Sequence, residues 1–293
     1  MTSWALVPAA DPCTTDLLSH CVTYRRRAVA RTRHGDEEVV AYGVSAVYTP
    51  PALRGRGYAR RSLQLLHYAL APREALPPFP DWGMPPHGPR DARLSFLHSG
   101  IDGAFYTACT QGLERAGWVL KPPHTRLLTV RGPAEAEYEM LGAKDVAELQ
   151  DAYEMILRQR LRPGQVAVIP DLSALTRLAP PSVCGEHFGA RVATGWFTYL
   201  KLRPSEDMPW RLTLSVVHGT VPFAVVASVA IRERASVIEY GGEGFTDWDE
   251  DGVEIDYEWP KPCVCVYGES LEWIAPETLV IEAVGVPGHW AWY

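Results

Sequence analysis

The sequence predicts an α/β fold with mixed sheets, and three observations lead to that prediction. Runs rich in β-branched and aromatic residues occupy positions 19–24 and 39–49, which is typical of strands. Leucines at helical spacing follow between Leu63 and Leu70. In the second half of the chain a helical pattern precedes several strand-like runs. A mixture of this kind indicates helices packed on sheets.

The first elements follow from these patterns in chain order. A short strand is expected from Trp4, and the two longer runs are expected to pair as antiparallel strands across the charged turn of residues 33–38. The period then changes to that of a helix, which begins near Gly57 and ends before Pro72. Residues 72–89 contain seven prolines and are therefore expected to form a long surface loop.

Three further elements complete the first half of the chain. The first is a strand at Ala92–His98. A helix at Asp102–Ala116 follows and is ended by Gly117 as a C-cap glycine. The third is a strand at Leu127–Val130. Pro133 and its acidic neighbours are typical of a linker. We therefore expect a first domain at residues 1–132 and a second at residues 133–293.

The sequence of the second domain predicts a mixture of helix and strand. It opens with a helical pattern at Ala143–Arg160. Five strand-like runs follow, at residues 166–169, 194–200, 211–217, 223–230 and 236–240. No sequence repeat relates the two domains, and no residue pattern in the second indicates a chemical activity.

The composition limits the classes of function. Lys and Arg number 28 against 35 Asp and Glu, a net charge of −7, so a broad basic surface for nucleic acid is not expected. No apolar run is long enough to span a membrane, and the N-terminus lacks the pattern of a signal peptide. Six cysteines in 293 residues do not make a disulfide scaffold, which favours the reducing cytoplasm. Cys263 and Cys265 lie in an apolar run and are expected to be buried in a strand.

The most informative segment runs from Val44 to Arg61, where a strand, a glycine-containing turn and a helix follow one another. The turn has the pattern Arg-x-x-Gly-x-Ala, from Arg54 to Ala59. Its glycines allow successive backbone amides to point into one concavity, to which the helix adds its free N–H groups and its positive dipole end. Charge suited to a diphosphate or a 3′-phosphate comes from four arginines: Arg54, Arg56, Arg60 and Arg61.

Two other phosphate-binding loops do not match this turn. A Walker A loop needs Gly-Lys-Ser/Thr, and a Rossmann turn needs a third glycine where Arg60 stands. The alternative interpretation is a glycine-rich connection with solvated arginines. The strand before the turn and the helix after it favour phosphate binding.

This strand, turn and helix resemble the signature of the GNAT superfamily of acetyl-CoA-dependent N-acetyltransferases. Several segments resemble the fungal lysine N-acetyltransferase family more narrowly. They are Thr23–Arg26, Tyr42–Pro51, Arg54–Ala59, Leu97–Asp102 before Phe105 and Tyr106, and Trp290–Tyr293. The resemblance is dense over residues 4–130 and faint afterwards.

The resemblance implies how acetyl-CoA would be held as a co-substrate. The backbone edges of residues 46–48 and of Leu94–His98 would pair with the pantetheine arm, and the amides of Arg54–Ala59 would hold the pyrophosphate. The expected cofactor-binding residues are Ala46, Val47, Tyr48, Arg54, Gly55, Arg56, Gly57, Tyr58, Ala59 and Arg60.

The resemblance also implies a catalytic role for Tyr106, which matches a tyrosine that protonates the departing CoA thiolate. A donor with a pKa near 10 and a thiol with a pKa of about 8.5 make this transfer only mildly uphill. The alternative for Tyr106 is an ordinary core aromatic residue.

The chain departs from the family pattern in ways that affect the site. It starts at what would be the second strand, so an N-terminally shortened protein without the usual first strand and following helices is expected. Thr107–Ala116 separate Tyr106 from Gly117 and Trp118, an excess of about seven residues, or close to two helical turns. No carboxylate occurs at positions 44–49. The general base stays open among Glu37, Glu38, the terminal carboxylate of Tyr293, and water relayed through Ser45 or Tyr48.

A second motif, Asp247–Glu258, matches the calcium-loop pattern D-x-D-x-D-G-x₅-E. Glycines before it and prolines after it argue against the paired helices of an EF-hand. Eight acidic residues and no basic one between positions 243 and 258 also fit a solvated acidic loop. We therefore expect no metal site.

Together these patterns predict an acyltransferase that moves acetyl directly from acetyl-CoA to a small-molecule amine, by resemblance the side chain of lysine. Two alternatives from other classes stay open. One is a CoA-binding or interaction module that has lost its activity, and the other is a calcium-binding protein. The oligomeric state is not predicted.

Overall fold

The computed structural model describes residues 1–101, 103–121, 125–130, 135–169, 171, 187–203, 207–241, 253–255, 261–268 and 271–273. These residues form two mixed sheets with α-helices packed on them, which confirms the predicted α/β fold.

The described ranges contain fifteen strands and four α-helices. The strands are β1 (Thr2–Leu6), β2 (Ser19–Thr32), β3 (Gly35–Tyr48), β4 (Ala92–Ser99), β5 (Val119–Leu120), β6 (Thr125–Thr129), β7 (Glu139–Gly142), β8 (Gln165–Val168), β9 (His187–Val192), β10 (Gly195–Leu202), β11 (Arg211–Gly219), β12 (Val237–Gly241), β13 (Val253–Ile255), β14 (Lys261–Val266) and β15 (Glu272–Trp273). The helices are α1 (Tyr58–Leu70), α2 (Gly103–Thr107), α3 (Val146–Arg160) and α4 (Phe223–Arg232).

The first sheet has the strand order β15-β8-β2-β3-β4-β14-β5, and β1 also pairs with β2. β2 and β3 form a long antiparallel hairpin, whereas α1 carries the chain across the sheet so that β4 runs parallel to β3. Cys263 and Cys265 lie in β14 and are 0% and 2% exposed, which confirms the prediction of buried strand cysteines.

The second sheet has the order β13-β6-β12-β11-β10-β9-β7 and repeats the topology of the first. Antiparallel strands β9, β10 and β11 precede a helical crossover, α4, and the next strand, β12, runs parallel to β11. This repeat lies in the strand order and not in the sequence.

The two sheets exchange strands across the expected domain boundary at residue 132. β8, β14 and β15 follow that position but lie in the first sheet, whereas β6 precedes it and lies in the second. The division into two contiguous domains therefore stays a prediction, and the sheets themselves are not built from contiguous halves of the chain.

Two predicted elements are wrong. The helix expected over Asp102–Ala116 ends at Thr107. A loop follows it, and the amides of Gly117 and Trp118 close this loop by donating to the carbonyls of Thr107 and Tyr106. Residues 223–230 were expected to form a strand because they are rich in valine, yet they form α4. This helix starts after Pro222 and buries the successive residues Val225–Ala230. A short, continuous apolar run of this kind is also typical of a buried strand, and periodicity alone does not distinguish the two. None of the helices in the described ranges has the length and apolarity needed to cross a membrane.

The face of α1 toward the sheet buries His67 completely. The ring stacks on Trp118 with centroids 4.2 Å apart, and burial lowers the pKa of His67 from its ordinary value of 6.5 to about 4. The unfolded chain therefore binds a proton at this position at a higher pH than the folded chain does. The stability that neutral His67 allows is complete above about pH 6.5 and is lost as the pH falls toward 4.

We expect the free energy of unfolding to fall by about 3 kcal/mol between pH 6.5 and pH 4 through His67 alone. Urea unfolding at a series of pH values checks this for the wild-type protein and for His67→Gln. The difference between the two profiles should lie within that window. Parallel profiles would show that His67 does not contribute.

Candidate functional site

β3 and β4 separate at the carboxyl end of the first sheet. Their parallel pairing runs from Val40 opposite Ala92 to Gly43 opposite Phe96 and then stops. Beyond this point β3 continues to Tyr48 and β4 to Ser99, each still paired with its other neighbour. A wedge with two free backbone edges therefore opens between residues 44–48 and residues 97–99. We call this opening the splay.

A bulge in β3 lies at the edge of the splay. Ala46 has a φ of 49°, a left-handed conformation that is uncommon for a residue other than glycine. The register with β2 shifts at the same place, between the pairs His20–Tyr48 and Val22–Ser45. The bulge turns backbone groups of residues 46 and 47 out of the regular ladder, which suits a ligand that pairs with this edge.

The turn after β3 leads directly into α1. Gly55 and Gly57 have φ values of 75° and 81°, and Gly57 is the residue before the first turn of the helix. The backbone amides of residues 55–60 donate no hydrogen bond to any residue that the structure describes. The first helical amides lack partners in any helix, and here two left-handed glycines extend the same row of free donors.

Three of the four arginines in this segment are exposed, and none of the four is neutralised by an acidic side chain in the described part of the chain. Arg54, Arg56 and Arg60 are exposed, and the Arg54 Nε donates to the carbonyl of Thr49 at 3.1 Å. Arg61 instead stacks on the ring of Trp82, at 4.1 Å from its centroid. No ion pair involves these four side chains within the described part of the chain, so their charge is free to meet a phosphate.

Tyr106 lies in α2 and packs in the same apolar cluster as Val44, Val47 and Leu97, which border the splay. It is 9% exposed, and its hydroxyl has no hydrogen-bond partner among the described residues. Burial raises the pKa of Tyr106, and nearby thiols, with Cys109 first, raise it further. The hydroxyl therefore stays protonated at neutral pH, but the raised pKa makes proton transfer to a thiolate more uphill than it would be from a tyrosine with a pKa near 10.

The residues that separate Tyr106 from Trp118 fold out as a loop. Within it, Gln111 and Arg115 form an isolated antiparallel bridge. At its base, the Trp118 amide donates to the Tyr106 carbonyl at 3.2 Å, and the Gly117 amide donates to the Thr107 carbonyl at 3.0 Å. The additional residues between Tyr106 and Gly117 therefore form a loop and do not add two turns to the helix.

The opposite face of the sheet, away from α1, also reaches the splay. Phe96 packs against Gly43, where a Cβ would lie 3.2 Å from the Phe96 ring. Because side chains alternate along a strand, Ser45 and His98 share this face, and the rings of Phe96 and His98 make an edge contact at 6.2 Å. The Ser45 Oγ is buried and has no hydrogen-bond partner among the described residues.

Glu37 and Glu38, two of the expected bases, lie far from the splay. They are near the hairpin end of β3, and Glu38 is six residues before Val44, which corresponds to about 20 Å along a strand. Glu38 is also paired with Arg27 and Arg158. This position and pairing argue against a role as base. The terminal carboxylate of Tyr293 lies outside the described residues.

The equivalent turn in the second sheet is closed. Between β11 and α4 the Thr220 amide donates to the Thr194 carbonyl at 3.0 Å, and the Thr194 hydroxyl donates to the Thr220 carbonyl at 2.6 Å. The sequence from Gly219 to Pro222 contains no arginine. This turn therefore differs from the turn before α1 in that its Thr220 amide is bonded and no arginine lies within it.

The structure therefore gathers the expected residues at one end of the first sheet. Ala46, Val47 and Tyr48 lie on the free edge of β3, the residues from Arg54 to Gly57 form the turn, and Tyr58, Ala59 and Arg60 begin α1. The sequence analysis did not single out His98. Its position beside the splay depends on where the parallel strands β3 and β4 separate, which no local sequence pattern indicates. The calcium pattern at residues 247–258 lies outside the described residues except for the backbone of β13.

No family model matches the sequence, and no curated protein matches it either. Among solved structures, the chain is similar to a GCN5-related N-acetyltransferase from Anabaena variabilis, with a TM-score of 0.54 and 11% identity over 85% of this chain. It is also similar to a GCN5-related N-acetyltransferase from Kribbella flavida, with a TM-score of 0.51 and 14% identity over 86% of this chain. The chain spans 60% and 57% of the length of these two proteins.

These similarities show the fold of GCN5-related N-acetyltransferases, and the mixed sheets agree with it. They give no support to a closer likeness to the fungal lysine N-acetyltransferases.

Proposed function

We propose that the protein is an N-acetyltransferase that binds acetyl-CoA at the turn before α1 and transfers acetyl to a small-molecule amine. The observation that carries this proposal is that free amides at residues 55–60 and the open strand edges of the splay occur at the same end of the first sheet. A diphosphate suits the amides and the exposed arginines, and the pantetheine amides suit the strand edges.

Each expected residue has a role that its position permits. The amides from Gly55 to Ala59 hold the pyrophosphate, and Arg54, Arg56 and Arg60 offset its charge. The bulge at Ala46 offers backbone groups to the pantetheine arm. The unpartnered Ser45 hydroxyl and the left-handed Ala46 are features that a ligand in the splay would account for.

The transfer itself needs two proton movements. The amine nitrogen attacks the thioester carbonyl carbon, the carbon–sulfur bond breaks, and the thiolate takes a proton from the Tyr106 hydroxyl. The attacking amine must first lose its own proton, which for lysine costs about 4–5 kcal/mol at pH 7. Ser45 and His98 lie on the face away from α1 and are the polar side chains that we propose to take part in removing this proton.

We take lysine as the first acceptor to test, on the strength of the resemblance of residues 4–130 alone. The buried free thiols of Cys21, Cys109, Cys263 and Cys265 suit a reducing compartment, and we propose the cytoplasm.

The experiment is release of free thiol from acetyl-CoA in the presence of lysine and of a panel of other small amines. Thiol release that depends on both enzyme and amine supports an acetyltransferase, and the preferred amine identifies the acceptor. Binding of acetyl-CoA without any amine-dependent release supports an inactive CoA-binding module. Absence of binding contradicts the proposal.

A further inference from the structure

A buried chain of hydrogen bonds connects β4, the residue after β14, α1 and the loop after α2. The Ser95 Oγ lies 2.7 Å from the Tyr267 Oη, which lies 2.9 Å from the His67 Nδ1. The His67 Nε2 lies 3.0 Å from the carbonyl oxygen of Cys109. All four residues are at most 1% exposed, so this chain is shielded from water.

The chemistry of the groups fixes the direction of this chain. A carbonyl oxygen can only accept, so the His67 Nε2 carries a proton and donates to Cys109. In a neutral imidazole the other nitrogen is then an acceptor, so the Tyr267 hydroxyl donates to the His67 Nδ1. The Tyr267 oxygen in turn accepts from Ser95. Burial lowers the pKa of His67 to about 4, which agrees with a neutral ring.

At its Cys109 end, the chain of hydrogen bonds contacts the segment that contains Tyr106. The Cys109 amide donates to the Tyr106 carbonyl at 3.2 Å. Trp118 stacks on the His67 ring with an interplanar angle of 28°, and its own amide donates to the same Tyr106 carbonyl. His67 therefore contacts both residues whose amides bind the backbone of Tyr106.

α2 cannot fix the position of Tyr106 by itself. It has five residues, and a helix of that length is not stable without tertiary contacts. We propose that His67 and Tyr267 are positioning residues that hold Tyr106 at the splay through Cys109 and Trp118. The proposal rests on the proposed function and deepens it, because it assigns to the segment after β14 a part in acetyl transfer.

A double-mutant cycle tests this proposal. We expect Tyr267→Phe to lower kcat roughly tenfold or more, because a displacement of the order of 1 Å impairs proton transfer, while the Kd for acetyl-CoA changes less than about twofold. In a Tyr106→Phe background the same substitution should lower kcat no further, because it acts through the hydroxyl that is already absent. A merely structural role would give the same loss in both backgrounds.

A matched control is Tyr199→Phe, which also removes the hydroxyl of a buried tyrosine, one that donates a hydrogen bond to the Glu233 Oε1 at 3.1 Å. Tyr199 lies in β10 of the second sheet and packs in a different apolar cluster from the residues of the hydrogen-bond chain. We expect this variant to keep its kcat in both backgrounds.

A pair of variants at His67 provides an independent test if Tyr267→Phe does not fold. His67→Gln retains an amide N–H that can donate to the Cys109 carbonyl, whereas His67→Met has similar bulk and no donor. We expect Gln to keep most of kcat and Met to lose it, with the Kd for acetyl-CoA unchanged in both.

Three outcomes would overturn the inference: equal kcat losses from Tyr267→Phe in both backgrounds, a loss expressed in Kd, or an unchanged kcat in Tyr106→Phe. Failure of the proposed function is distinct from these, because it appears as absence of acetyl-CoA-dependent turnover in the wild-type protein.

Discussion

Replacing Tyr106 with phenylalanine is expected to lower kcat for acetyl transfer about 100-fold while the Kd for acetyl-CoA stays the same. The reason is that the thiolate leaves into an apolar cluster, where water is a poor substitute for the protonated hydroxyl. Burial raises the pKa of Tyr106, so the hydroxyl is protonated across the neutral range and is a weaker acid than an exposed tyrosine. Steady-state kinetics and acetyl-CoA titration measure the two quantities separately.

The same variant separates catalysis from packing. The Tyr106 hydroxyl has no hydrogen-bond partner among the described residues, so its removal should leave the free energy of unfolding unchanged or slightly raised. Tyr199→Phe is a suitable control, because it removes a hydroxyl in the second sheet that donates to Glu233, the residue after α4. An unchanged kcat in Tyr106→Phe would show that Tyr106 is an ordinary core aromatic residue.

Replacing Gly57 with valine is expected to weaken acetyl-CoA binding by roughly 10-fold to 100-fold, the loss of about one charge-assisted hydrogen bond. A Cβ at this position meets no atom within 4 Å, so the effect comes from the φ of 81° and not from a clash. A β-branched residue avoids that conformation, and a changed backbone turns the amides away from the phosphate. Equilibrium titration with acetyl-CoA measures the change.

Gly164 offers a closely matched control for this substitution. Its φ is 85°, and a Cβ there also meets no atom within 4 Å. It lies in the turn between α3 and β8, where its amide donates to the Arg31 carbonyl. Gly164→Val should therefore lose similar stability and keep its affinity for acetyl-CoA. Equal losses of affinity in the two variants would point to a general effect on folding and would remove the turn before α1 as the phosphate site.

The local part of this fold could be predicted from the sequence, because its signals lie close together in the chain. The strand ending at Tyr48, the turn with Gly55 and Gly57, and the helix through Leu70 were all expected, and the structure contains them. Their patterns of β-branched residues, glycines and spaced leucines act within about twenty residues of each other. The phosphate role of the turn remains a prediction.

The non-local part could not be predicted in the same way. The end of α2 depends on bonds from Gly117 and Trp118 back to Thr107 and Tyr106, which no local pattern encodes. The valines of α4 favour a strand by propensity, but the parallel pairing of β11 and β12 requires a crossover between them. The insertion of β14 next to β4 joins residues about 170 positions apart, so sequence reasoning had no signal for it.

Isothermal titration of the full chain with acetyl-CoA is the most direct test of a single CoA site at the turn before α1. We expect one molecule bound per chain, because the turn before α4 is closed by the bonds between Thr194 and Thr220 and carries no arginine. CoA without the acetyl group should compete with acetyl-CoA for the same site. A stoichiometry of two per chain, or the absence of binding by a folded sample, would contradict this assignment.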